Sequence, residues 1–232
     1  MTSAISGVFT PRVTMMEVKN ATPQVLSDLL VRIGRLQYLI VAFILSGYIV
    51  FGRIFIHFWS GDEYQDAYII ALLTMIPLAI PLIQNIAFSI ILAQKKHQCR
   101  AITYAVIAVV NVVTTYFAIP RFGIIGAAAC TAIAFLLGNG LIMNIYYYRV
   151  TKLDIPRFWK NIISMSVVPV IFLIVGYIIV NKLLPVMGIL EFLIEIVIYS
   201  ILYSVFTWIF TMNTYESNLF LDLIKRLIPF LR

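Results

Sequence analysis

Six stretches of this chain are apolar for about the 20 residues that a helix needs to cross a bilayer. They cover residues 37–58, 67–93, 101–119, 122–148, 162–180 and 189–211. Each is continuously apolar. Strands of a membrane barrel would alternate over runs of about 10 residues. The runs therefore predict an all-α, polytopic transmembrane bundle of about six spans. Composition agrees: 62% of residues are hydrophobic, 12% are charged and the mean hydropathy is +1.00. Soluble domains hold about 45–50% apolar and about 25% charged residues, so lipid must solvate much of this surface.

The connections are short. Ser60-Gly61-Asp62-Glu63 follows the first span, Gln94-Lys95-Lys96-His97-Gln98 the second, and Pro120-Arg121 makes a tight turn after the third. Residues 149–160 read as a longer basic loop, and 182–188 as a short turn containing Pro185. Two segments are amphipathic instead of spanning. Residues 23–35 read as an interfacial entry into the first span. Leu219, Phe220, Leu223, Ile224, Leu227, Ile228 and Leu231 give the C-terminus a surface-lying helical face. Four units follow: 1–36, 37–148, 149–211 and 212–232.

Charge supplies an orientation. One set of segments holds Arg12, Lys19, Arg32, Arg35, Lys95, Lys96, Arg100, Arg149, Lys152, Arg157, Lys160, Lys225, Arg226 and Arg232, 14 of the 17 basic residues. The other holds Arg53, Arg121 and Lys182. Lys and Arg concentrate in cytoplasmic loops, so both termini are expected inside. Basic residues placed between apolar runs fit topology and not phosphate recognition, so no nucleic-acid partner is expected.

Polar residues inside spans are the functional candidates. Pro77 and Pro81 each remove a backbone donor in mid-span and would act as a hinge. Gln84 and Asn85 follow, and a broken helix of this kind lines substrate cavities in many transporters; a static kink is the alternative. Asn111 lies inside the third span and Arg53 near the end of the first. Glu191 and Glu195, four apart, put two carboxylates on one face of the sixth span, for ion coupling or for snorkelling to the headgroups. Gly123, Gly126 and Ala127 read as small residues that let helices approach closely. No catalytic set, metal cluster or phosphate-binding loop appears, so an enzyme, a metal or a cofactor is not expected.

The order of these features resembles the C-terminal half of polysaccharide (O-antigen-type) flippases, in the multidrug/oligosaccharidyl-lipid/polysaccharide exporter superfamily. The stretch PRFGIIGAAACTAIA, residues 120–134, is the most specific piece. It is joined by GDEYQDAY, the double-proline span and AQKKHQCRAITY. The resemblance implies one MATE-like lobe plus two trailing helices. It implies flipping of polyprenyl-diphosphate-linked oligosaccharide by alternating access, with Arg53, Gln84, Asn85 and Asn111 facing the cavity. SAISGVFTPR would end an earlier span. A missing N-terminal half or a second copy, together with polysaccharide polymerisation machinery, would be the partners. Within the same superfamily, a cation-coupled drug exporter using Glu195 is the alternative. A non-transporting membrane subunit or remnant is the third.

Overall fold

The computed structural model describes residues 9, 11, 13–17, 21–180 and 188–227, with side chains to residue 221. The SAISGVFTPR expectation, Lys19, Lys182, Pro185 and the last residues of the C-terminal face lie largely outside them. Every regular element among the described residues is helical: α1 (Pro23–Ser60), a 3₁₀ turn (Asp62–Tyr64), α2 (Asp66–Ile83), α3 (Asn85–Ala93), α4 (Gln98–Phe135), a π-type stretch (Leu136–Ile142), α5 (Met143–Arg149), α6 (Ile155–Met165), α7 (Val167–Ile178), α8 (Ile189–Phe210) and α9 (Thr214–Leu227).

Five helical stretches are long and apolar enough to span a membrane. One of them, 98–149, crosses twice. Gly123 interrupts α4 with φ 59° and ψ −149°, a conformation that L side chains avoid. Beyond it the chain folds back. Asn111 Nδ2 donates to Thr131 Oγ1 at 3.3 Å, and Tyr104 Oη to Asn139 Oδ1 at 2.6 Å. In a straight helix, residues 20 apart would be separated by about 30 Å. The two arms, 98–122 and 124–149, are thus an antiparallel hairpin, and the described residues make six crossings.

Gly123 therefore does not pack one helix on another; a Cβ placed there would meet nothing within 4 Å. The close approach is at Gly126, where a Cβ would come 2.6 Å from Phe122. Ala128 and Ala132 are buried, whereas Ala127 is half-buried.

Helix α1 has 38 residues, about 57 Å at 1.5 Å per residue, against a hydrocarbon core of about 30 Å. The 23–35 segment is the excess. It does not lie flat at the interface as expected. It continues the axis of the span and is covered: Leu26, Leu30 and Ile33 are buried in the main core with Ile86, Ile90, Met143, Leu153 and Phe158.

The 149–160 loop is also corrected. From Ile155 it is helix α6, begun by Asp154 Oδ1 accepting from Arg157 N at 3.0 Å, with a proline in the first turn. Ile155, Phe158, Ile162 and Met165 form its buried face. The expected fifth span breaks at Ser166, where α7 begins.

Contacts gather the basic segments at one end. Lys96 Nζ donates to the Val150 carbonyl at 3.3 Å, and Tyr146 Oη to the Lys96 carbonyl at 3.0 Å. Arg157 pairs with Asp28 at 2.7 Å, and Arg35 with Glu216 at 2.6 Å. We call this the basic end. The opposite, acidic end carries Asp62 and Glu63, beside His57.

Candidate functional site

At the basic end a chain of polar side chains runs through the apolar core. The second span is the starting point. Pro77 and Pro81 lie inside α2, but the helix breaks one turn later, at Gln84 (φ −102°, ψ 14°). Leaving the helix frees Gln84 to point inward, where it is 2% exposed. Its Nε2 donates to Asn144 Oδ1 at 2.8 Å, and Trp159 Nε1 donates to the same oxygen at 2.9 Å.

Asn144 Nδ2 in turn donates to the carbonyls of Asn139 and Gly140, at 2.7 and 2.9 Å. Those carbonyls belong to the widened 136–142 turn, where the regular ladder is disturbed. Asn144 thus uses both acceptor positions and both donors, as a buried amide must. The chain continues through Asn139 Oδ1, which accepts from Tyr104 Oη, to Arg100, whose Nη2 lies 3.4 Å from that hydroxyl. The Arg100 guanidinium also caps the Phe88 ring at 3.9 Å.

This network joins the Gln84 break, both hairpin arms and α6. It contains a cation, a tyrosine hydroxyl and hydrogen-bonding amides. Among the described residues no group of three His, Cys, Asp or Glu side chains comes together. The arrangement can hold helices in register and present a cation.

The cavity candidates do not converge. Gln84 enters the network; Asn85 opens α3 beside it, half-buried. Arg53 is exposed near the acidic end, its guanidinium 5.2 Å from the Tyr68 ring centroid. Tyr68 and Gln84 are 16 residues apart on one span, about 24 Å. Asn111 is held within the hairpin by Thr131 and Thr115. A cavity of about 240 Å³ lies beside Pro77 and is lined by Thr74 and Thr131. Glu191 is exposed, and Glu195 faces a separate apolar crevice.

Asn139, Asn144, Tyr104, Arg100 and Trp159 were not anticipated as partners. A Gly-Asn-Gly run at 138–140 inside an apolar stretch was the available signal, because glycines flanking an amide weaken a helix locally.

No family model, curated protein or solved structure matches the chain. Fold and site together define a helical, membrane-spanning bundle pinned at one end by a buried amide network.

Proposed function

We propose that this chain is one lobe, with two trailing helices, of a flippase that moves polyprenyl-diphosphate-linked oligosaccharide across the bacterial cell membrane. The reading rests on the 120–134 run. Its PRFG opening coincides with the reversal at Gly123, and its small residues follow in the returning arm. The six-crossing bundle is compatible with one lobe of such a carrier.

In this reading the basic end faces the cytoplasm, because Lys and Arg resist translocation. Arg100, stacked on Phe88, and Arg53, stacked on Tyr68, are cations held near opposite ends of the bundle. Each would meet the diphosphate at one extreme of the rocking cycle, with the Gln84 break as the flexible joint. The completing lobe would be a separate N-terminal half or a second copy. Polysaccharide polymerisation machinery would receive the product.

The test is translocation of a fluorescent polyprenyl-diphosphate oligosaccharide in vesicles, read by quenching of the outer leaflet. The expected result is movement above that of protein-free vesicles, slowed in Arg53→Ala and Arg100→Ala. Movement equal to protein-free vesicles, with the chain alone and with an N-terminal lobe co-reconstituted, would end the reading.

A further inference from the structure

Helix α8 carries four oxygen-bearing side chains at an unbroken spacing of four: Glu195, Tyr199, Tyr203 and Thr207. That spacing puts them on one face. Glu195 Oε2, both tyrosine hydroxyls and Thr207 Oγ1 are buried, and none completes a hydrogen bond of good geometry. Tyr199, Tyr203 and Thr207 are more than nine-tenths buried. The row covers about 18 Å of a hydrocarbon core of about 30 Å.

Buried hydroxyls that lack well-formed hydrogen bonds are costly inside a membrane protein. Phenylalanine and valine would fill the same seam at lower cost, so packing does not account for the oxygens. Packing does account for how the rings are held. Phe51 of α1 and Phe172 of α7 contact Tyr199 edge-on at 5.4 and 5.9 Å, and Phe43 of α1 lies 5.2 Å from Tyr203. The two tyrosine rings are near parallel, with centroids 6.0 Å apart. Ser46 of α1 lies beside both hydroxyls. Its own proton goes to the Phe43 carbonyl at 3.1 Å, which leaves its lone pairs free to accept. One water making two O–H···O bonds of about 2.8 Å would span the roughly 6 Å between successive levels.

We propose that this row is a proton route along α8. A proton enters on the Glu195 carboxylate from the acidic end, passes by way of the Tyr199, Tyr203 and Thr207 hydroxyls and bridging waters, and is taken up by solvent water at the basic end. Each oxygen accepts one proton on a lone pair and releases its own to the next. Only O–H bonds form and break, and no hydroxyl keeps a charge. Glu195 alternates between carboxylate and carboxylic acid. On its own helix it faces Glu191, one turn nearer the acidic end. The crevice walls from α1 and α7 offer it Phe51, Phe172, Val175 and Gly176, none of which titrates. Tyr203 faces Tyr199 on α8, and Tyr38 and Ser46 on α1; Tyr38 is itself bonded to Ser166. One turn past Thr207, the Thr211 carbonyl accepts from Arg35 at 3.2 Å. The route does not depend on the flippase reading, because no lipid-linked sugar takes part in it.

The test is proton flux into vesicles of phosphatidylethanolamine and phosphatidylglycerol containing the full chain and a trapped pH dye, driven by a potassium diffusion potential. We expect flux above that of protein-free vesicles. Glu195→Gln and Tyr203→Phe should each lower it about tenfold, the effect of losing one hydrogen-bonded link. Ser204→Ala, on the exposed side of α8, should leave it unchanged. Thr207→Val, which keeps the side-chain shape, gives the same reading if Glu195→Gln fails to fold. Wild-type flux equal to protein-free vesicles, or wild-type flux in folded Tyr203→Phe and Thr207→Val, overturns the proposal.

Discussion

Arg35 grips Glu216 with two bonds, Nε to Oε1 at 2.6 Å and Nη2 to Oε2 at 3.0 Å, across 181 residues of chain. Glu216 is 1% exposed and Arg35 14%. The carboxylate also accepts from Asn213 N at 3.0 Å, while Asn213 Oδ1 accepts from Glu216 N at 2.9 Å. That reciprocal pair is a capping box. The ion pair and the cap share one carboxylate, so the start of α9 and its docking on α1 are one event. Arg32, stacked over Tyr215 at 4.4 Å, adds a second contact.

Removing one partner of a buried pair strands the other charge. Arg35→Ala should cost about 3–5 kcal/mol and free α9 for proteolysis. Arg35→Met with Glu216→Leu should restore most of that stability, because no charge is then left buried. Asp28→Ala breaks an exposed pair with Arg157 and should cost less than about 1 kcal/mol. Thermal unfolding in detergent, with limited proteolysis, measures all three.

Asn144 is the hub of the amide network. Asn144→Leu would strand the Gln84 and Trp159 donors and the Asn139 and Gly140 carbonyls together. A loss of about 1–3 kcal/mol is expected. Gln84→Leu strands a single acceptor position on Asn144, which Trp159 still serves, and should cost less. Trp159 fluorescence reports the change directly, since its indole N–H loses its acceptor only in the first variant.

Two glycines should respond in opposite senses. Gly123→Ala forces a Cβ into φ 59° and should lose more than about 1 kcal/mol. Gly47 lies inside α1 with ordinary helical geometry and open space for a Cβ. Gly47→Ala should gain about 0.5–1 kcal/mol. Paired unfolding curves in one detergent compare the two.

The spans and the existence of a turn after the third were legible in the sequence because apolar length and the Pro120-Arg121 pair are local signals, but Pro120 and Arg121 stay helical and the reversal falls at Gly123. Helix α6 was not, because Arg157 and Lys160 between Ile155 and Ile162 resemble a basic loop until the four-residue spacing of the buried face is followed. Gln84 was legible as a polar residue after two prolines. Its partner Asn144 lies 60 residues away, and no periodicity encodes such a pairing. The salt bridge between Arg35 and Glu216, 181 residues apart, was hidden for the same reason. Gly123 was read as a packing residue because small-residue spacing looks the same on a helix face and at a turn.

The six crossings of the described residues depend on the reversal of the 98–149 stretch at Gly123. Labelling single-cysteine variants with a membrane-impermeant thiol reagent, after Cys99 and Cys130 are replaced by serine, tests it most directly. With both ends inside, cysteines at Asp62 and Arg121 should react in intact cells. Cysteines at Lys96 and Lys152 should react only after permeabilisation. Protection of the Arg121 position, with Asp62 labelled, would contradict the hairpin and the six-crossing account with it.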